Sequence, residues 1–284
     1  MAFVLYLCLR FPEKYIIVWL EVMHMKACEI YHQLIHSSNK IWEADTCDGL
    51  ILGDPNKEVR KIGTCFQLTM ALVDEALRRQ IDMIITHEPT FSREDPCTKF
   101  EGLDEVRRQR LLESGLTIYR YHDHAHDRNP DYIHAGFLDA VGLRIRQEYP
   151  EESFAVRRYE LEAPTTARDL ALLVKEKLGL AGVRLVGNDN TPVKTITLAL
   201  GWVNAKIVRA FLEQDSALFI TGEVDEAFSD AYIRDASYLG CQKNILLLGH
   251  YGAEFAGMRL LAKDLNETVA PTVFLEGGEV YRFL

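Results

Sequence analysis

Several features are scarce in this chain. Its six cysteines (Cys8, Cys28, Cys47, Cys65, Cys97 and Cys241) are scattered, with no CxxC pair. That excludes a dense disulfide framework and suits a reducing, cytoplasmic compartment. Positive charge is also short: 32 Lys and Arg stand against 42 Asp and Glu, a formal net charge of −10, with no basic run. A nucleic-acid groove or an anionic membrane surface is therefore a poor electrostatic partner. Long apolar runs are missing too. The opening MAFVLYLCLRFPEKYIIVWLEVMH is two short apolar pieces divided by Arg10, Pro12, Glu13 and Lys14. Neither reaches the roughly 20 apolar residues of a membrane span, and the order of charge and apolar run is wrong for a secretory signal. The GxSxG elbow, the GxxxxGK[ST] phosphate loop and GxGxxG are all absent, and Phe91 stands where an HExxH pattern beginning at His87 needs its second histidine. Metal-assisted hydrolysis is the reaction class that remains.

What is present is alternation. The 284 residues suffice for one large α/β domain or two lobes. An amphipathic helix is expected from Met25, with Ile30, Leu34 and Ile35 on one face. Residues 1–24 then read as an extension outside the fold. Strands are expected over 61–68, 81–86 and 116–121, with helices over 69–80 and near 101–114. The order recurs as strands over 193–201, 216–221 and 242–249, with helices over 204–214 and 224–240. Between the copies Thr166 and Asp169 form a capping-box pattern opening a helix that Gly179 stops. Two similar α/β lobes related by an internal repeat follow, over 25–145 and 146–284.

Histidines and carboxylates gather just past the strand ends, where open α/β sheets bind ligands. His87 and Glu88 precede the turn-forming Pro89; His122, Asp123, His124, His126 and Asp127 lie within six positions; His250 and Glu254 are spaced i, i+4. Taken singly, a buried histidine reads most simply as a satisfied core residue, and His250 with Glu254 as a surface helix pair. Their shared position in a repeat favours one metal site between the lobes. Imidazole with carboxylate suits zinc, iron, manganese or nickel.

The same segments resemble the NIF-three-like proteins (NGG1p-interacting factor type), also known as GTP cyclohydrolase I type 2 homologues. CDGLILGDP (47–55) stands for WDNxGLxxGDP, DMIITHEP for DLIITHHP, TIYRYHDHAH for VYxxHTNLD, FITGEVDEA for YITGDxxHH and GHYGAE for GHYxxE. The resemblance implies a NIF-three-like fold, a toroidal homohexamer and a centre of two divalent metals per chain. It places the ligands on His87, Glu88, His126, His250 and Glu254. Glu88 replaces a family histidine and His126 a family aspartate, so either a bridging carboxylate comes from Glu88, Glu254 or Asp123, or the site is mononuclear. In a hydrolase of nucleotide or phosphoester-like substrates, Glu88 or Asp123 would move the proton and Glu223 would orient substrate. Only Arg93, Lys99, Arg120 and Arg128 are available nearby for phosphate. The alternative is a non-enzymatic metal-binding or scaffold ring.

Overall fold

Short apolar strands and a three-to-four period between them produce two sheets sharing one core. The computed structural model describes residues 4–11 and 14–21 by their backbone, and residues 24–38, 46–91, 101–150, 155–282 and 284. Val4–Phe11 (β1) and Lys14–Glu21 (β2) pair antiparallel as a ribbon of their own. The first half continues through Ala27–His36 (α1), Gly49–Leu52 (β3), Ile62–Cys65 (β4), Met70–Arg78 (α2), Met83–Thr86 (β5), Glu101–Ser114 (α3) and Thr117–Arg120 (β6). A short turn of helix, Asp123–His126 (α4), and Tyr132–Val141 (α5) follow. The second half runs Ile145–Pro150 (β7), Arg157–Thr166 (β8), Ala167–Leu178 (α6), Arg184–Val186 (β9), Pro192–Trp202 (β10), Ala205–Glu213 (α7) and Leu218–Glu223 (β11). It ends with a π-helical turn, Glu226–Asp230, then Ala231–Tyr238 (α8), Asn244–Leu247 (β12), His250–Thr268 (α9) and Thr272–Phe274 (β13).

The sheets are ordered β13-β4-β5-β6-β3 and β7-β8-β10-β11-β12-β9. In each, three consecutive strands run parallel (β4, β5, β6 and β10, β11, β12), and the strand preceding them in sequence closes the far edge antiparallel. The central strands read as unbroken apolar runs because both of their faces are covered. Met83 and Ile85 join the core shared by the two sheets, while Ile84 joins a separate cluster with Leu72 and Val73 of α2. Leu218 and Ile220 likewise face the shared core, and Phe219 packs with Val208 and Phe211 of α7.

Two helices bring the sheets together. Phe137 of α5 and Phe255, Met258 and Leu261 of α9 lie in the shared core. The helices cross where Gly136 meets Gly257, and a Cβ on Gly136 would stand 2.5 Å from the Gly257 Cα. Strand β13 then crosses back to pair parallel with β4. A division of the chain at residue 145 thus leaves one strand of the first sheet in the second half.

Local chemistry sets the helix ends. Thr166 accepts from the Asp169 N–H to start α6, and Gly179, with φ 66°, stops it in the left-handed region. Asp131 accepts from the N–H groups of Ile133 and His134 to start α5. Among the described residues no helix is long and apolar enough to cross a membrane.

Candidate metal centre

Register places the reactive side chains together. Cys65, Thr86 and Arg120 are aligned across the parallel strands, so Phe66, His87 and Tyr121 leave the sheet side by side. The His87 and Glu88 N–H groups both turn to the Phe66 carbonyl, at 3.1 and 2.7 Å. This breaks the alternation and lets two adjacent side chains serve one site. In α4, Asp48 is the anchor: its Oδ1 accepts from the His122 N–H at 2.5 Å, and its Oδ2 from the His124 N–H at 2.9 Å. The i, i+4 spacing then puts His122 and His126 on one face, while His124 turns away to bond Asp48 through Nδ1 at 2.7 Å. In α9 the same spacing presents His250 and Glu254.

Glycines clear the space they occupy. Gly201 has φ 95°, and any Cβ there would collide with Glu254 Oε1. A Cβ on Gly222 would lie 2.7 Å from the Gly201 carbonyl oxygen and 3.0 Å from the His250 Cα.

The four imidazoles share one orientation. Each Nδ1 has a partner: the Tyr121 carbonyl for His87 (3.0 Å), Asp123 for His122 (2.9 Å), Asp131 for His126 (3.0 Å) and Glu223 for His250 (3.3 Å). Each Nε2 then faces the carboxylates. Glu254 Oε2 lies 3.4 Å from His87 and 3.2 Å from His250, its Oε1 lies 4.0 Å from His126, and Glu88 Oε1 lies 3.2 Å from His250 and 3.8 Å from His122. A carbonyl can only accept, so His87 Nδ1 carries the hydrogen and a neutral ring leaves the Nε2 lone pair bare. Both His87 Nε2 and Glu254 Oε2 are buried without an aligned hydrogen bond. Two acceptors buried face to face require a cation between them, either a proton or a metal. The ligand atoms of His87, His122 and His126 lie within 4.8 Å of one another, as do those of His87, Glu88 and Glu254. Outer partners on every imidazole are the arrangement that orients metal-bound histidines, so the residues fit a divalent cation.

The electrostatics agree. Burial opposes the charge on His250, but contact with Glu254 and Glu88 pushes its pKa up to about 11. Burial likewise opposes the charge on His126, while Asp131 and Glu254 raise it to about 9. Burial alone would raise Glu88 and Glu254, yet the surrounding imidazoles hold both below the usual carboxylate range. His122 is lowered by burial and by the neighbouring His87. Without a metal the pocket traps protons instead.

All five side chains expected as ligands, His87, Glu88, His126, His250 and Glu254, meet in this cluster, from both halves of the chain. His122 joins them. Its i, i+4 relation to His126 was the available signal. The three candidates for moving protons or orienting substrate separate. Glu88 faces the cluster, whereas Asp123 lines the same cavity from its edge, bonded to Thr46 Oγ1 (2.8 Å), the Cys47 N–H (3.0 Å) and His122. Glu223 supports His250 from the side. Of the residues considered for phosphate, Arg120 is engaged by Glu88 and the His87 carbonyl, and Arg128 lies over the Tyr132 ring. Arg93 and Lys99 lie outside the described residues. Asp131, the outer partner of His126, was not among the expected residues, although its place as a helix-capping aspartate five positions after His126 was a local signal.

A cavity of about 600 Å³ opens onto the cluster, lined by Glu88, His122, His126, His250 and Glu254 on its polar part. Val156, Trp202, Val203 and Ile207 contribute apolar surface.

The family model described as Duf34/NIF3 (NGG1p interacting factor 3) matches residues 25–276. Curated relatives include a protein of Salmonella typhimurium named GTP cyclohydrolase 1 type 2 homolog, 27% identical over 248 residues, covering 87% of this chain and 95% of that protein. A relative of the same name from Clostridium acetobutylicum is 24% identical over 226 residues, covering 77% and 81%. In fold the chain is similar to a hypothetical protein of Staphylococcus aureus, with TM-score 0.73, 20% identity and coverage of 92% and 100%. It is also similar to reduced HcgD from Methanocaldococcus jannaschii, with TM-score 0.71, 18% identity and coverage of 90% and 100%.

Proposed function

Since the chain belongs to the Duf34/NIF3 family, and since its buried imidazoles and carboxylates form a cation-demanding cluster at the floor of a cavity, we propose that it is a metal-dependent hydrolase acting on a nucleotide or phosphoester-like small molecule. The observation that carries this reading is the buried, face-to-face pair His87 Nε2 and Glu254 Oε2, each without an aligned hydrogen bond. The names of the curated relatives support a nucleotide as the substrate class.

Two cations per chain suit the arrangement, with His87, His122 and His126 on one side and Glu88 and His250 on the other. Glu254 would help hold both, because its two oxygens reach imidazoles from both groups. When bound, zinc, iron, manganese or nickel would supply Lewis acidity, lowering the pKa of water to roughly 7 and polarising the substrate. The chain's own groups do the rest. Asp123, Asp131 and Glu223 orient His122, His126 and His250 by holding each Nδ1. Glu88 is held ionised and lines the cavity, so it accepts the proton lost by the attacking water. Asp123, which lines the same cavity and is hydrogen-bonded to His122 and Thr46, is the second candidate for that role. Glu223, 44% exposed in its side chain, also reaches a polar group of the substrate.

A homohexameric ring is proposed alongside. Exposed Phe228, Tyr232, Tyr238 and Leu239 form an apolar stretch of the kind that marks subunit contacts.

Elemental analysis of untagged wild-type and His87→Ala protein tests the reading, followed by hydrolysis assays on nucleotides and phosphoesters. About two equivalents of metal in the wild type, falling to one or none in the variant, is the expected result. A wild type that takes up no metal after reloading would overturn it.

A further inference from the structure

The cavity over the cluster has an apolar side that the hydrolytic reading leaves unused. Trp202 stands there 60% exposed, although the chain has only three tryptophans and buries most of its large apolar side chains. Its placement is built into the strand. The register between β10 and β11 runs Ala199↔Thr221 and then Trp202↔Glu223, so one extra residue bulges from β10. Gly201 in that bulge has φ 95° and makes room for Glu254. Bulges beside functional sites re-aim side chains, and this one takes Trp202 out of the regular alternation at the strand end beside Glu223.

The support beneath it is rigid. Val156, Ala199 and Val203 line the same cavity and belong to a fully apolar cluster with Val208, Phe211 and Phe219. The cavity's cationic side is poor by comparison. Arg120 is the sole Lys or Arg among its described lining residues, and Glu88 and the His87 carbonyl already engage it. No described lining residue offers phosphate an unpaired basic side chain, so phosphate recognition falls to the bound cations, whereas a flat ring finds the aromatic face of Trp202 in the cavity wall.

We propose that Trp202 is the platform on which the base of a nucleoside or nucleotide stacks. The inference rests on the reading of the cavity as the substrate site of a metal-dependent hydrolase. Stacking is tolerant of base identity, because every base presents a π face.

The test uses the full chain reconstituted with zinc, as wild type, Trp202→Phe and Trp202→Ala. Calorimetric titrations with adenosine, guanosine, cytidine, uridine, GTP and inorganic triphosphate are run beside measurements of zinc content and oligomer mass. At least one nucleoside should bind, and triphosphate, which has no ring to stack, should bind Trp202→Ala as it binds the wild type. Trp202→Ala should weaken nucleoside binding roughly 5- to 150-fold, the span of base-on-aromatic stacking, with zinc content unchanged. Trp202→Phe should retain most of it. Unchanged nucleoside affinity in Trp202→Ala, an equal loss of triphosphate binding in that variant, or a changed oligomer mass with intact binding would each overturn the proposal. Zinc uptake with no nucleoside bound would also overturn the platform while leaving the metal reading standing. Nucleoside binding that depends on Trp202 in a chain that takes up no zinc would support the platform and sink the metal reading.

Discussion

Asp131 performs two tasks with its two oxygens, and substitution can separate them. Oδ1 caps α5 by accepting from the Ile133 and His134 N–H groups at 2.8 and 3.1 Å, while Oδ2 accepts from His126 Nδ1 at 3.0 Å. In Asp131→Asn the amide oxygen keeps the cap, since asparagine caps about as well as aspartate. The amide nitrogen, now facing His126, is a donor. It favours the tautomer with hydrogen on Nε2, which removes the lone pair a metal needs. Loss of such an outer partner lowers metal affinity about 10- to 100-fold, or roughly 1.4–2.7 kcal/mol. Asp131→Ala loses the cap as well, costing about a further 1 kcal/mol of folding stability. The assay pairs a competitive zinc titration against a chromogenic chelator with urea midpoints on the metal-free proteins. Asn should lose metal affinity with the smaller midpoint shift, and Ala should lose both. Zinc affinity in Asp131→Asn within twofold of wild type would refute the reasoning.

Three further outcomes are expected. Gly136→Ala should destabilise the fold by about 1–3 kcal/mol in urea melts. The gain in helix propensity of about 1 kcal/mol is outweighed because its Cβ meets Gly257 backbone rather than a movable side chain; a stabilised variant would count against the crossing. Gly201→Ala should reduce zinc content, because its Cβ displaces the Glu254 carboxylate and the residue must adopt φ 95°; full zinc content would contradict the packing. Metal uptake at pH 7 should release protons from His126 and His250, whose metal-free values are raised to about 9 and about 11. Both rings are charged below those values, so release should diminish as the pH rises through about 9 and then about 11; calorimetry in buffers of different ionisation heat reads this, and no release at pH 7 would place the metal elsewhere.

The contrast between His122 and Asp123 shows where sequence reading stops. Both sit in one run of histidines and acids, and composition cannot tell which face of the turn looks inward. Asp48, more than seventy positions earlier, decides it by pinning three N–H groups of that run, so His122 and His126 turn to the cluster while Asp123 stays at the cavity edge and His124 turns back to Asp48. The i, i+4 rule alone already paired His250 with Glu254, and the polar turn at Pro89 already marked His87 and Glu88.

By itself the sequence determined the elements whose physics is local. Apolar runs of four to eight residues became buried parallel strands, Thr166 and Gly179 bounded a helix, and the charged helix expected near 101–114 formed over Glu101–Ser114. Only tertiary structure decided how distant pieces meet. The return of β13 to the first sheet, the crossing at Gly136 and Gly257, the hold of Asp48 on the turn at His122 and the re-aimed Trp202 all depend on long-range packing. Hydrophobic period reports which face of an element is buried, but not against which other element. The candidate metal centre lies at that second level, because its ligands converge only once α9 has packed its Glu254 between the ends of two sheets.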